Sequence, residues 1–281
     1  MTDTATAPIA GKTATKTAPQ GQPIWYELMT PDPAAVAPFY RAVLGWEIPA
    51  EGHPMPNGSE YREITRDDGG NAGGVLKLTP QMAGGGAKPG WIAYFHVADV
   101  DVSVAKAQNL GASVHMPPMT MDGVGRMAMI ADPQGAPLYV MDPTPPPDRP
   151  DAQSDVFDPA KAGHCRWNEL NTIDGPGALD FYTALFGWTK GMAMPMGEAG
   201  DYQFIEGGGV AIGAINPVPE PPSFWLPVFG VTDIAAARAA VEANGGTITT
   251  DLQEVPGGEF ALNADDPSGA AVAFLGPKRG E

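Results

Sequence analysis

The chain has 281 residues, enough for two domains of ordinary size, and its 33 acidic and 16 basic side chains give a formal charge of −17. Such a surface repels phosphate backbones and anionic lipid, which argues against nucleic-acid and membrane partners. A single cysteine, Cys165, excludes an intrachain disulfide framework and any multi-cysteine zinc site; no apolar run reaches the ~18 residues of a membrane span.

In chain order, residues 1–21 are rich in Thr, Ala and Pro and lack the apolar block of a secretory signal. They read as a disordered tail on a cytoplasmic protein. Ile24–Met29 has the alternation of a strand, and Asp32 is placed to cap a helix whose first turn takes Pro33. Val36, Phe39, Tyr40, Val43 and Leu44 recur at helical spacing, and Gly45 stops the helix. Pro38 is out of place there and predicts a later start or a kink. After a loop at Glu47–Gly58, Glu60–Arg66 and Gly74–Thr79 read as strands joined by the turn Asp67–Asn71. Ala83–Gly90 is a flexible connection, without the pattern of a phosphate-binding loop.

A second unit follows: strand Trp91–Val97, cap Asp99, helix Val100–Leu110 and stop Gly111. Strands come next near Ser113–Met116, Arg126–Ala131 and Pro137–Met141, the last two joined by the Asp132-Pro133-Gln134-Gly135 turn. Asp142–Gly163 is rich in Pro and Asp and reads as a linker. Cys165 is expected to be a buried, inert thiol.

The chain then repeats itself. Residues 167–188 match residues 25–46 at ten of 22 positions, among them Trp25/Trp167, Glu27/Glu169, Asp32/Asp174, Phe39/Phe181, Tyr40/Tyr182 and Gly45/Gly187. Trp225, Val231, Asp233, Gly245, Asp266-Pro267 and Gly269 likewise repeat Trp91, Val97, Asp99, Gly111, Asp132-Pro133 and Gly135. The expected organisation is a tail (1–21), a first domain (22–141), a linker (142–163) and a second domain (164–277). Each domain holds two paired β-α-β-β-β modules in an α+β fold.

A strand, an Asp at the strand-to-helix junction, a helix carrying Phe-Tyr and closing on Gly-Trp, and a final D-P-x-G hairpin resemble the vicinal-oxygen-chelate superfamily. That group includes glyoxalase I, bleomycin-resistance proteins, fosfomycin-resistance enzymes and extradiol dioxygenases. The resemblance implies two glyoxalase-like domains, each curled around a cleft. In metal-dependent members, His, Glu or Gln side chains from the first and last strands of the modules hold a divalent ion. Carried over, those positions fall on Trp25, Ile92, Tyr139 and the stretch Gly74–Leu78 in the first domain. In the second they fall on Trp167, Leu226, Ala273 and Val210–Asn216. None supplies a family ligand, so no metal or other cofactor is expected, with a divalent metal held by relocated ligands as the rival reading.

Strand alternation places Trp25, Glu27 and Met29, Ile92, Tyr94 and His96, and Pro137, Tyr139 and Met141 on the first cleft. Trp167, Glu169 and Asn171 line the second, together with Leu226, Val228, Gly230, Ala271, Ala273 and Leu275. Glu27 and His96 are the candidate catalytic groups, and Trp25, Tyr94, Tyr139, Trp167 and Glu169 the candidate substrate contacts. Expected is a binding or resistance-type protein for a small, partly apolar molecule, or a metal-free enzyme with Glu27 as base; the rival is a metal-dependent lyase or dioxygenase. A homodimer is left open. The loops His53–Gly58 and Met192–Gly197 are candidate lids, and the second cleft a candidate surface for domain packing or dimerisation.

Overall fold

A computed structural model describes residues 18–55, 57–197 and 200–279. The chain forms two eight-stranded sheets. The first runs in the order β2-β3-β4-β1-β5-β8-β7-β6. Its strands are β1 (Pro23–Thr30), β2 (His53–Pro54), β3 (Glu60–Thr65), β4 (Asn71–Lys77), β5 (Gly90–His96), β6 (Ser113–Met121), β7 (Gly125–Ala131) and β8 (Pro137–Pro143). In each module the first strand lies parallel to the last, β1 on β4 and β5 on β8, and the two modules join antiparallel through β1 and β5. The second sheet repeats this as β10-β11-β12-β9-β13-β16-β15-β14. Its strands are β9 (Cys165–Thr172), β10 (Thr189–Pro195), β11 (Asp201–Gly207), β12 (Val210–Pro217), β13 (Phe224–Gly230), β14 (Thr247–Val255), β15 (Glu259–Asp265) and β16 (Ala271–Gly276).

The helices are α1 (Pro33–Leu44), α2 (Pro80–Gly84), α3 (Val100–Asn109), α4 (Gly175–Phe186) and α5 (Ile234–Ala243). Asp32 Oδ1 accepts from the amides of Ala34 and Ala35, and Asp174 Oδ1 from that of Gly177, each satisfying N–H groups that the first turn leaves without partners. Gly45 and Gly187 end α1 and α4 with φ of 72° and 77°, a conformation a side chain would strain. α1 starts at Pro33 rather than later, and Pro38 lies inside it. Pro38 and Ala34 are both exposed, so the Ala34 carbonyl that loses its helical donor faces water instead. Two other segments are more ordered than expected: part of the flexible 83–90 connection belongs to α2, and β6 runs on through Pro117-Pro118 to Met121. Proline is tolerated in β6 because it is the edge strand.

The sequence left open how the domains meet. Alternate residues of β1 and β5 (Tyr26, Leu28, Trp91, Phe95) point to the convex face of the first sheet and share one core with Trp188, Trp225, Phe229 and Phe274 of the second domain. Four of the helices lie in this layer, α1 against α5 and α3 against α4, whereas Met82 of α2 packs against the concave face. Two reciprocal relays cross it. Trp91 donates to the Tyr40 hydroxyl, which donates to Asp266 at 2.9 Å, and Trp225 donates to Tyr182, which donates to Asp132 at 3.0 Å. The remaining oxygen of each Asp holds its own D-P-x-G turn, Asp132 Oδ1 taking the amides of Gln134 and Ala136. The repeated Phe-Tyr and D-P-x-G motifs therefore bind one domain to the other. Domain packing uses the convex faces and leaves both concave clefts free of it.

The linker is tied down over its second half. Ser154 donates to the Ile24 carbonyl, Arg66 pairs with Asp155, and Phe157 bridges to Cys165. Residues 1–17 of the expected tail lie outside the described residues, whereas its last residues pack: the Gly21 amide donates to the His96 carbonyl, and Trp188 donates to the Gly21 carbonyl. Among the described residues no helix is long and apolar enough to cross a membrane.

Candidate functional site

The concave face of the first sheet carries the sharpest chemistry. Trp25, Tyr94 and Tyr139 stand side by side across β1, β5 and β8 because they are register partners. The Tyr94 and Tyr139 rings stack at 4.1 Å between centroids with 11° between their planes. Met129 continues the row as the partner of Tyr139, and Met116 as the partner of Met129. Met127 and Met141 form the neighbouring row. The face is thus a buried aromatic stack bordered by polarisable, adaptable thioethers.

Glu27 lies on this face, 3% exposed. Its Oε2 accepts from the Tyr94 hydroxyl at 2.9 Å, while its buried Oε1 has no partner. Burial, only partly offset by the Tyr94 hydrogen bond, raises the carboxyl from 4.5 to about 7. Tyr61, Tyr94 and Tyr139 are raised above the ordinary phenol value, first by burial and then by the charge of Glu27, so they remain protonated donors. Tyr61, which sequence reasoning missed, accepts from the Trp25 indole. Its counterpart Tyr202 sits just after an acidic residue as Tyr61 does, and aligning β3 with β11 would have exposed the pair.

The structure does not bring His96 to Glu27. Glu27 pairs with Ile92, four residues along β5 from His96, a separation of about 13 Å. The His96 ring instead shares a hydrogen bond with the Pro19 carbonyl at 3.2 Å, and its backbone is clamped by Gly21 and Gln22. His96 therefore anchors the chain as it enters β1.

The second cleft shows the same plan with different partners. Trp167 donates to the Tyr202 hydroxyl, which donates to Glu169 Oε2 at 2.9 Å. Glu169 Oε1 accepts from Asn216, which also donates to Asn171 Oδ1. Glu169 is raised by burial, against the lowering effect of Tyr202, Asn171 and Asn216. The contrast with Glu27 has a local cause. Asn216 and Asn171 are register partners two residues beyond Glu169; the equivalent partners in the first domain are Leu76 and Met29, which have no proton to donate. Glu169 is fully hydrogen-bonded, and Glu27 is not.

Of the candidate lids, Met192–Pro195 belongs to the edge strand β10, with Met192 exposed, and Pro56 lies outside the described residues. Cys165 is buried and its thiol is pushed up to about 12, chiefly by burial. Among the described residues no group of three or more His, Cys, Asp or Glu side chains converges as metal ligands do.

Comparison with known proteins places this geometry. The family described as "Glyoxalase/Bleomycin resistance protein/Dioxygenase superfamily" matches residues 22–139 and 161–274. A Mycobacterium bovis protein named "Putative glyoxylase CFP32" is 31% identical over 261 residues, covering 92% of this chain and 95% of that one. The "Anthracycline biosynthesis protein DnrV" of Streptomyces peucetius is 31% identical over 285 residues, with 92% and 94% covered. Among solved structures, the 2,3-dioxygenase LapB of Pseudomonas sp. KL28 superposes with a TM-score of 0.61 at 15% identity, covering 93% of this chain and 94% of that one. The Mn(II)-bound glyoxalase of Novosphingobium aromaticivorans gives 0.62 at 13% identity, covering 92% and 83%. At those identities the structural likeness speaks for the fold alone.

Proposed function

Because the chain belongs to the Glyoxalase/Bleomycin resistance protein/Dioxygenase superfamily, we propose that its first domain binds a small, partly apolar molecule in the concave cleft, the ligand donating a hydrogen bond to Glu27. The observation that carries this reading is the unpartnered Oε1 of a buried carboxyl beside the Tyr94–Tyr139 stack. A buried acceptor without a donor is costly, and a ligand O–H or N–H would remove the cost. The stacked rings and the methionines suit a flat apolar body, and Trp25 and Tyr61 close the far side.

Glu27 also has the properties of a general base. Its carboxyl titrates near neutral pH, where a base is both available and strong enough to take a proton. A ligand with an acidic O–H or C–H against Oε1 would place that proton on Glu27, while the Tyr94 hydroxyl, already donating to Oε2, would hold the carboxylate in position. The named relatives suit either role, one carrying the name of a glyoxylase and the other that of an anthracycline biosynthesis protein.

A resident divalent ion does not fit the residues present. The positions that would ligate it are an indole, an aliphatic chain and a phenol held in its protonated form, which leaves Glu27 as a lone carboxylate. No step is therefore routed through a metal.

The test uses a matched pair of flat probes. 2-Naphthol, which carries a donor, is expected to shift the Trp25 indole signal in a nitrogen–proton NMR titration, and 2-methoxynaphthalene to bind about tenfold more weakly. Glu27→Leu should bring the two probes to equal affinity. Equal affinities in the unaltered protein would remove Glu27 from the site.

A further inference from the structure

Tyr61 is a residue of the first cleft with a proton to spare. The Trp25 indole can only donate, so the Tyr61 oxygen accepts from it, at 2.6 Å, and the phenol proton points elsewhere. Among the described residues nothing accepts that proton. The ring is half-buried on β3 and packs against the same cluster as Tyr94 and Tyr139. Burial and the charge of Glu27 both hold the proton on the hydroxyl.

The internal repeat shows why this proton is free. Gly74 is the register partner of Glu27, about 5 Å away on the next strand. A Cβ at Gly74 would stand 2.0 Å from the Tyr61 hydroxyl oxygen, so the hydroxyl occupies space that only a glycine leaves. In the second domain Ala214 is the register partner of Glu169 and carries that Cβ. Tyr202, the counterpart of Tyr61, is kept out of the same position, and its proton goes to Glu169 at 2.9 Å. In the first domain Tyr94 takes one oxygen of Glu27 and leaves Oε1 open. One uncommitted donor and one uncommitted acceptor therefore share the first cleft.

We infer that Tyr61 determines which ligands the first cleft takes, by donating to the same ligand atom that gives its hydrogen bond to Glu27 Oε1. A hydroxyl oxygen meets both demands at once, so the ligand class is a hydroxyl compound with a flat apolar body. An N–H heterocycle satisfies Glu27 but leaves the Tyr61 proton without a partner. Gly74 is what makes the discrimination available, because it keeps the Tyr61 hydroxyl off the carboxylate. The inference rests on the reading of the first cleft given above and adds the acceptor that its ligand must carry.

The test compares 2-naphthol, which donates and accepts, with indole, which only donates. Each is titrated into the full chain and into Tyr61→Phe, followed by nitrogen–proton NMR at the Trp25 indole. 2-Naphthol is expected to bind Tyr61→Phe about five- to tenfold more weakly than the unaltered protein, and indole to bind both alike. Equal losses for the two probes would make Tyr61 a structural residue, and an unchanged 2-naphthol affinity would leave its proton without a role. Either result overturns the inference and leaves the reading of Glu27 standing. Gly74→Ala carries the test if Tyr61→Phe does not fold, and its first readout needs no ligand. The added methyl should turn the Tyr61 proton onto Glu27 Oε1, so the Glu27 midpoint in a carbon NMR titration should drop below that of the unaltered protein. An unmoved midpoint would overturn the inference. Failure of both probes to bind the unaltered protein would overturn the reading of the cleft itself, and this inference with it.

Discussion

Replacing Glu27 with Gln is expected to change how stability depends on pH. The Glu27 carboxyl rises from 4.5 to about 7 on folding, through burial. Below 4.5 both states hold the proton, and the group favours neither. Between 4.5 and 7 the unfolded chain releases it while the folded protein keeps it, so stability falls as pH rises. Above 7 both are ionised and the loss stays constant. At about 1.4 kcal/mol per pH unit, the loss between pH 5 and pH 8 is about 2.5 kcal/mol. Gln does not titrate, and whatever its own unpartnered amide costs is the same at both values. Urea unfolding of both proteins at pH 5 and pH 8 measures the difference. The advantage of Glu27→Gln should grow by about 2.5 kcal/mol from the lower to the higher pH. An advantage independent of pH would show that Glu27 is not a buried carboxyl with a raised pKa, and the account of the cleft would fail with it.

Three other outcomes follow from the same geometry. Tyr182→Phe leaves Asp132 without its inter-domain donor and should cost about 1.5–3 kcal/mol, with both domains still unfolding in one urea transition because they share a core; two separated transitions in the unaltered protein would contradict the shared core. Leu76→Asn places the equivalent of Asn216 beside Glu27, which should lower the Glu27 pKa below about 7 and weaken 2-naphthol binding; an unchanged titration would show that the two clefts are not built alike. Protein purified without chelator and dialysed against Mn, Ni, Zn or Fe(II) should hold well below one equivalent of metal. A full equivalent that is lost in Glu27→Gln would make a metal-dependent lyase or dioxygenase with relocated ligands the better reading.

The parts of the fold set by neighbours in sequence were legible before the structure. Asp32, Asp174, Gly45 and Gly187 act on the backbone beside them, and strand alternation alone put Trp25, Glu27, Tyr94 and Tyr139 on one face. What stayed hidden depends on residues far apart in the chain. Tyr40 and Asp266 were each visible as part of a repeated motif, but their hydrogen bond spans the domain interface. His96 was rightly placed on β5, yet its partner Pro19 comes from the segment read as a disordered tail. The difference between Glu27 and Glu169, identical in the repeat, comes from Leu76 and Met29 standing where Asn216 and Asn171 stand. The repeat shows the two glutamates as equivalent, and only their partners from distant strands separate them.

The central claim is that Glu27 presents a free, buried oxygen to a donor-bearing ligand. Titration of its side-chain carbon by NMR in glutamate-labelled protein, with the signal assigned by its loss in Glu27→Gln, tests this directly. The midpoint should lie near 7 in the free protein. Saturating 2-naphthol should lower it, because the carboxyl is already out of water and the new hydrogen bond favours the charged form. A midpoint near 4.5, or one that 2-naphthol leaves unmoved, would contradict the account.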